Sequence, residues 1–144
     1  MHCSFPQRYV CQDKIATAQP GMKLDIITPD PRAEFYTDER CHILELLGGA
    51  DDAAISIARA RVSGGVTTAL HKLNGVDERY VILEGTGIVE LDSTKRASVA
   101  PGDVVLIPRG TPQRITNSGT KDLVFLCVCD PPFEPTCYEA LETS

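Results

Sequence analysis

Three side chains in the middle of the chain, His71, Glu78 and Gln113, carry groups that proteins use to bind ligands and to move protons. They supply an imidazole, a carboxyl group and a neutral amide. Each lies in or beside a segment with the pattern of a β-strand, where alternate side chains point to the same face. His71 then shares a face with Leu73, and Glu78 shares a face with Tyr80. A site forms here only if the strands bring these faces together.

The chain from residue 41 onward consists of short apolar stretches separated by turn residues, without a sustained helical period. This pattern predicts an all-β domain. We expect strands at residues 41–47, 55–62, 79–83, 88–91, 104–107, 113–117 and 123–129.

Two further features of this region concern turns and chain ends. Gly85 and Gly87 separate two predicted strands, and we expect them to supply the positive φ angles of a hairpin turn. Three prolines follow the last predicted strand and cannot continue a central strand. Residues 137–141 are expected to add a helical turn.

Residues 1–40 are interrupted by Pro20, Pro29 and Pro31, and only residues 23–28 have the pattern of a strand. We interpret residues 1–40 as an N-terminal arm that packs on the barrel or on a partner, and residues 41–144 as the barrel domain. An arm of this kind can add to an open sheet edge of a second copy. A homodimer is therefore expected.

Composition limits the partners and the compartment. The chain has 14 Lys and Arg against 20 Asp and Glu, a formal charge of −6, which disfavours binding to nucleic acid. Its longest apolar run, residues 123–129, is far shorter than the roughly 20 residues that span a bilayer. No secretory signal is recognised at the amino terminus, so we expect a cytoplasmic protein with reduced cysteines and a small-molecule partner.

Two segments resemble the two sequence motifs of the cupin superfamily. Residues 65–85 are similar to the first motif, which consists of a glycine, His-x-His, a glutamate and a glycine. Residues 102–117 are similar to the second, which consists of a glycine, Pro-x-Gly, a histidine and an asparagine. Both motifs occur in order within residues 55–129. The resemblance implies a double-stranded β-helix, the jelly-roll barrel of that family.

In that family the histidines and the glutamate of the motifs bind one divalent metal inside the barrel. His71 matches the first histidine and Glu78 matches the glutamate, whereas Leu73 and Gln113 stand where the other two histidines would be. The resemblance therefore implies that His71, Glu78 and Gln113 converge as an incomplete ligand set. Such a set suits Zn²⁺, Fe²⁺, Ni²⁺ or Mn²⁺, with the amide oxygen as a weak third ligand.

Further residues are candidates for the same pocket. Glu78 and Tyr80 are the candidate catalytic residues, and the candidate pocket-lining residues are Leu73, Asn117, Arg59 and Cys127. Structural roles compete with each assignment. Tyr80 and Cys127 are compatible with ordinary core packing, and Arg59 with a solvated outer face.

The three metal-ligand candidates also have structural alternatives. Glu78 can pair with Arg59 or Arg61, Gln113 can satisfy a buried hydrogen bond, and His71 can lie at the barrel mouth. In that case the barrel has no metal.

Three functions remain open from the sequence. The first is a metal-assisted enzyme that acts on a small polar metabolite, of isomerase, lyase or dioxygenase type, with sugar-phosphate isomerase-like activity as the specific suggestion of the resemblance. The second is a small-molecule-binding or sensing module without a metal, favoured by Leu73 in a ligand position. The third is a structural barrel whose cavity is filled by side chains.

Overall fold

A computed structural model describes residue 21 and residues 23–142 of the chain. In this part of the chain the backbone forms eleven β-strands and two short 3-10 helices, Pro31–Ala33 and Pro135–Cys137. The strands are β1 (Phe35–Tyr36), β2 (His42–Leu47), β3 (Ser56–Val62), β4 (His71–Leu73), β5 (Asp77–Glu84), β6 (Gly87–Leu91), β7 (Lys95–Val99), β8 (Val104–Ile107), β9 (Gln113–Asn117), β10 (Leu123–Asp130) and β11 (Tyr138–Ala140).

The strands form two antiparallel sheets. One has the order β1-β2-β3-β10-β5-β8, and the other has the order β11-β4-β9-β6-β7. Neighbours in these sheets are often distant in the chain, because the chain crosses repeatedly between the two layers. The predicted all-β class and the double-stranded β-helix are confirmed.

The barrel is packed at one end and hollow at the other. Ile82, Ile115 and Leu123 are almost completely buried between the sheets, and burial of side chains of this size stabilises the fold by about 1.5–3 kcal/mol each. Residues nearer the opposite ends of the same strands, such as Glu78 on β5 and Cys129 on β10, line a cavity instead. The solid end therefore fixes the strands that position the cavity wall.

The glycines of the β5–β6 turn are required for two different reasons. Gly85 has φ +78°, as predicted, and a Cβ atom there would lie 2.6 Å from the backbone oxygen of Asp122. Gly87 has no positive φ, in contrast to the prediction. A Cβ atom at Gly87 would instead lie 2.9 Å from Cδ2 of Leu123, so this glycine is needed for space inside the barrel.

Two predicted elements are corrected by the structure. Residues 23–28 are not assigned to a strand and are exposed, because no neighbouring strand of the described chain pairs with them. Residues 137–141 do not form a helical turn. A 3-10 helix ends at Cys137, and β11 then pairs with β4, with Tyr138 opposite Leu73 and Ala140 opposite His71.

The barrel wall begins before residue 41. In β1, Phe35 and Tyr36 pair with Ile43 and His42 of β2, so residues 35–40 belong to the sheet and its connection. The predicted arm, residues 1–40, thus contributes its last residues to the barrel, and residues 1–20 lie outside the described part. Among the described residues, no helix is long and apolar enough to cross a membrane.

Candidate functional site

A cavity of about 470 Å³ lies at the hollow end of the barrel. Its wall is mostly apolar, and its ionisable lining residues include Glu39, Glu45, His71, Glu78, Tyr80 and Cys127. A volume of this size, with a few convergent polar groups, is typical of small-molecule sites. The prediction of a barrel filled by side chains is therefore not supported at this end.

Glu78 is the most unusual group in the cavity wall. It lies on β5 between Ile107 of β8 and Cys129 of β10, and it is only 7% exposed. The thiol of Cys129 donates to Oε2 at 3.4 Å, whereas Oε1 is buried without a hydrogen-bond partner among the described residues. Burial raises the pKa of the Glu78 carboxyl to about 7, although His71, Cys129 and Gln113 each act in the opposite direction.

His71 is held in one orientation by its surroundings. It lies on β4 opposite Gln113 of β9, and its Nδ1 lies 2.8 Å from the carbonyl oxygen of Ala69. A carbonyl only accepts, so Nδ1 carries the proton in this hydrogen bond and the lone pair of the neutral ring resides on Nε2. The ring stacks on Tyr138 with centroids 5.0 Å apart. The imidazole is thus fixed, and Nε2 has no hydrogen-bond partner among the described residues.

Tyr80 and Gln113 connect the two sheets beside the cavity, which Tyr80 lines and Gln113 does not. The hydroxyl of Tyr80 donates to Oε1 of Gln113 at 2.6 Å, and both side chains are buried. Burial raises the pKa of Tyr80 well above its ordinary value, so its hydroxyl stays protonated and serves as a donor. Gln113 therefore satisfies a buried hydrogen bond, one of the alternatives that the sequence left open.

Leu73 and Cys127 also line the cavity, as predicted. Leu73 packs in a small apolar cluster with Val76 and Cys129. The one metal-ligating atom among these three side chains is the thiol of Cys129, which is bonded to Glu78. Burial raises the pKa of the Cys127 thiol well above its ordinary value, so this group remains an uncharged thiol.

Two predicted pocket residues lie elsewhere. The amide nitrogen of Asn117 donates to the backbone oxygens of Val62 and Lys121, at 2.9 and 2.7 Å, and its oxygen accepts from the backbone nitrogen of Gly119 at 2.9 Å. Asn117 therefore fixes the β9–β10 turn at the packed end of the barrel and does not line the cavity.

Arg59 is the second such residue. Its guanidinium lies 3.2 Å from Glu34, and Arg61 binds the same carboxylate. These arginines hold the segment before β1 against the sheet. The proposed alternative in which Glu78 pairs with Arg59 or Arg61 is therefore wrong.

Glu39 and Glu45 are cavity residues that the sequence analysis missed. Oε2 of Glu39 lies 3.8 Å from Nδ1 of His71, and burial raises the pKa of Glu39 while His71 lowers it. Both glutamates belong to an alternation in which every second residue from Phe35 to Leu47 lines the cavity. The lining residues in this alternation are of mixed polar and apolar types, so the sequence shows no regular period of two here, and the predicted arm boundary at residue 40 separates Glu39 from Glu45.

The metal-ligand set predicted from the resemblance is incomplete in the structure. Among the described residues, Nε2 of His71 and Oε1 of Glu78 have no hydrogen-bond partner and could ligate a metal. In contrast, Oε1 of Gln113 accepts from Tyr80, and Leu73 has no metal-ligating atom. Across residues 23–142, no three His, Cys, Asp or Glu side chains are grouped as a metal site. The residues present do not fit the four-ligand metal centre of the family.

The chain matches a protein-family model described as "Cupin domain" over residues 59–129. It is 42% identical to an uncharacterized protein of Methanocaldococcus jannaschii over 87 residues, and this aligned segment covers 60% of this chain and 69% of that protein. It is 34% identical to an oxalate-binding protein of Thermotoga maritima over 90 residues, and this aligned segment covers 62% of this chain and 73% of that protein.

Solved structures agree with this relationship. The crystal structure of a predicted oxalate decarboxylase from Thermotoga maritima has a TM-score of 0.61 at 29% identity, covering 73% of this chain and 93% of that one. The nucleoside dehydratase Pac13 of Streptomyces has a TM-score of 0.68 at 13% identity, covering 82% and 92%, and shares the fold. On these sequence and structural relationships, the chain belongs to the cupin superfamily.

Proposed function

We propose that the cavity binds a small molecule and that Glu78 transfers a proton on it, in an isomerase or lyase type of reaction. The observation that carries the proposal is the buried Oε1 of Glu78, which has no hydrogen-bond partner among the described residues and lies in a cavity large enough for a ligand. A carboxyl group with a pKa of about 7 is present in both protonation states near neutral pH. It is therefore suited to act first as a base and then as an acid.

The proposed reaction starts with one proton transfer. The Glu78 carboxylate takes a proton from a carbon beside a carbonyl group. The electron pair of the broken C–H bond forms a carbon–carbon double bond, and the π pair of the carbonyl moves to its oxygen. In an isomerisation of a hydroxyketone, the carboxyl group of Glu78 then returns the proton to the former carbonyl carbon, while the proton of the neighbouring hydroxyl passes to the enolate oxygen. In an elimination, Glu78 instead protonates the group that leaves from the next carbon as the enolate re-forms the carbonyl. In its doubly protonated form His71, with Nδ1 bonded to Ala69, donates from Nε2 to the oxygen on which the negative charge develops.

The metal-assisted form of this function has less support from the side chains. The donor set contains one imidazole and one carboxylate, with Gln113 engaged by Tyr80, and the second histidine of a 2-His-1-carboxylate site is replaced by Leu73. We therefore route no step through a metal. A sugar-phosphate substrate is also unsupported, because no Lys or Arg lies among the described residues that line the cavity.

Deuterium exchange tests the proposal even though the substrate is unidentified. Wild-type protein is incubated in D₂O with small aminoketones, hydroxyketones and ketoacids, and deuterium uptake on carbon is followed by mass spectrometry. We expect uptake above the buffer rate for at least one class, and its loss in Glu78→Gln. Glu84→Gln is the matched control, because Glu84 is on the same strand but exposed.

A binding module without turnover is the second candidate, and the apolar Leu73 in the cavity wall favours it. It predicts that a compound of the panel binds but exchanges no deuterium. Equal exchange in wild type and Glu78→Gln would contradict the assignment of Glu78. Binding without exchange would contradict the proton-transfer reaction and support a binding module.

A further inference from the structure

The cavity wall has an unbalanced charge. Three carboxyl side chains, Glu39, Glu45 and Glu78, line it, and its lining residues within the described chain include no Lys or Arg. The wall also contains one imidazole, His71, which carries a single positive charge when it is protonated. The three carboxyl groups outnumber it. An anionic ligand would therefore be repelled, whereas a cation would be attracted.

Two of these carboxyl groups, those of Glu39 and Glu78, are shielded from solvent, whereas Glu45 is exposed. Glu78 is 7% exposed, with Oε1 unpartnered at the cavity among the described residues, and the charge of Glu39 contributes to the raised pKa of Glu78. The Glu39 side chain is 27% exposed and adjoins His71. A buried carboxylate oxygen without a donor is costly, and a ligand that brings an N–H donor removes that cost.

The remaining wall suits an apolar body attached to the donor. Phe35, Tyr80 and Phe125 line the same cavity, and the rings of Tyr80 and Phe125 lie 4.6 Å apart between centroids. Aromatic faces attract organic cations as well as apolar groups. The volume of about 470 Å³ accommodates a compact organic molecule.

We propose that the cavity selects a small protonated amine with an apolar or aromatic body, and that Glu39 and Glu78 receive its ammonium group. This inference rests on the ligand site of the proposed function and adds the class of ligand. The proposed ligand differs in charge from that of the relative of Thermotoga maritima, which is named for binding oxalate. Oxalate is a dianion, and the carboxyl groups of this cavity oppose it.

A series of probes that differ in charge tests the selection. Titration calorimetry compares 2-phenylethylamine, 2-phenylethanol, phenylacetate and oxalate with the wild-type protein. We expect the amine to bind most tightly, by about tenfold over phenylacetate, because a tenfold ratio requires only one modest charge interaction. Tighter binding of phenylacetate or oxalate, or no binding of the amine at millimolar concentration, would overturn the proposal.

Variants identify the groups responsible. Glu39→Gln should reduce the preference for the amine over the alcohol several-fold, while Glu84→Gln, which removes an exposed charge, should leave the preference as in wild type. An unchanged preference in Glu39→Gln would remove Glu39 from the site. If Glu39→Gln does not fold, the order of the four probes on wild type still decides the proposal.

The two proposals fail in different ways. Preferential amine binding without deuterium exchange on any aminoketone keeps the ligand class and removes the proton-transfer reaction. Exchange that is fastest on ketoacids keeps the reaction and removes the ligand class.

Discussion

The hydroxyl of Tyr80 and the side-chain oxygen of Gln113 are 2.6 Å apart, and the hydrogen bond between them joins the two sheets across the barrel. Tyr80 lies on β5 of the six-stranded sheet, and Gln113 on β9 of the five-stranded sheet. This bond uses one of the two lone pairs of the oxygen that a metal would need. Tyr80 lines the cavity, whereas Gln113 is not one of its lining residues and has a structural role beside it.

Removal of this bond should destabilise the barrel. Tyr80→Phe leaves Oε1 of Gln113 buried without a donor, and we expect a loss of about 1–3 kcal/mol in the free energy of unfolding. Chemical denaturation measures it. Tyr36→Phe is the control, because Tyr36 is 63% exposed, and it should change stability little. An equal effect of both substitutions would contradict the structural role of the bond.

Much of the barrel follows from the pattern of the sequence. The predicted strands at residues 104–107 and 113–117 agree with β8 and β9, because turn residues with Pro and Gly bound both segments and mark where they begin. β7 was missed because Lys95–Val99 is largely exposed and has no apolar pattern. β1 and β11 are only two and three residues long, and they are defined by pairing, β1 with the neighbouring β2 and β11 with the distant β4.

Some residues of the cavity wall follow from sequence motifs, whereas others are defined only by tertiary contacts. The family motifs located His71, Glu78 and Leu73, all of which line the cavity. They also suggested Gln113 and Asn117 on β9, but neither lines the cavity, because Gln113 bonds to Tyr80 beside it and Asn117 lies at the packed end. Glu39 lies outside both motifs, and only its tertiary contact with His71 reveals it.

The metal-ligand positions can be tested by gain of function. We expect wild-type protein purified without a nickel column to retain less than about 0.1 equivalent of Zn, Fe, Ni or Mn, because only two ligand groups are free. The double substitution Leu73→His and Gln113→His should raise bound metal substantially. Elemental analysis measures both. Stoichiometric metal in wild type that is lost in His71→Ala and in Gln113→Ala would contradict the account.

The expected homodimer remains a prediction, and exposed apolar residues motivate it. Leu24 and Ile26 are 81% and 72% exposed, and Leu106, on the edge strand β8, is 68% exposed. A second copy that covers these side chains would bury them. Sedimentation or light scattering should give twice the chain mass of 15.6 kDa, and Leu24→Lys with Ile26→Lys should shift the protein to monomer. A wild-type monomer at all concentrations would exclude the dimer.

Stability should depend on pH through Glu78. Its pKa is about 7 in the fold and 4.5 ordinarily, so between these values the unfolded chain releases the proton while the folded chain keeps it. The contribution of Glu78 to stability is therefore present below about pH 4.5, falls as the pH rises toward 7, and is lost above it.

Glu78→Gln cannot titrate at this position and provides the reference. From about pH 5 to about pH 8, wild type should lose up to about 3 kcal/mol of unfolding free energy relative to Glu78→Gln. Denaturation of both proteins at each pH measures this difference. A constant difference between them would show that Glu78 titrates alike in the folded and unfolded chains.

The central claim is that the Glu78 carboxyl is partly protonated near neutral pH, and the titration of this group tests the claim most directly. The carbon-13 resonance of its side-chain carboxyl is assigned by its absence in Glu78→Gln and followed against pH in the folded protein. We predict a midpoint of about 7. A midpoint near the ordinary value of 4.5 would show that the carboxyl is already ionised and solvated, and would contradict its role as the proton-transferring group.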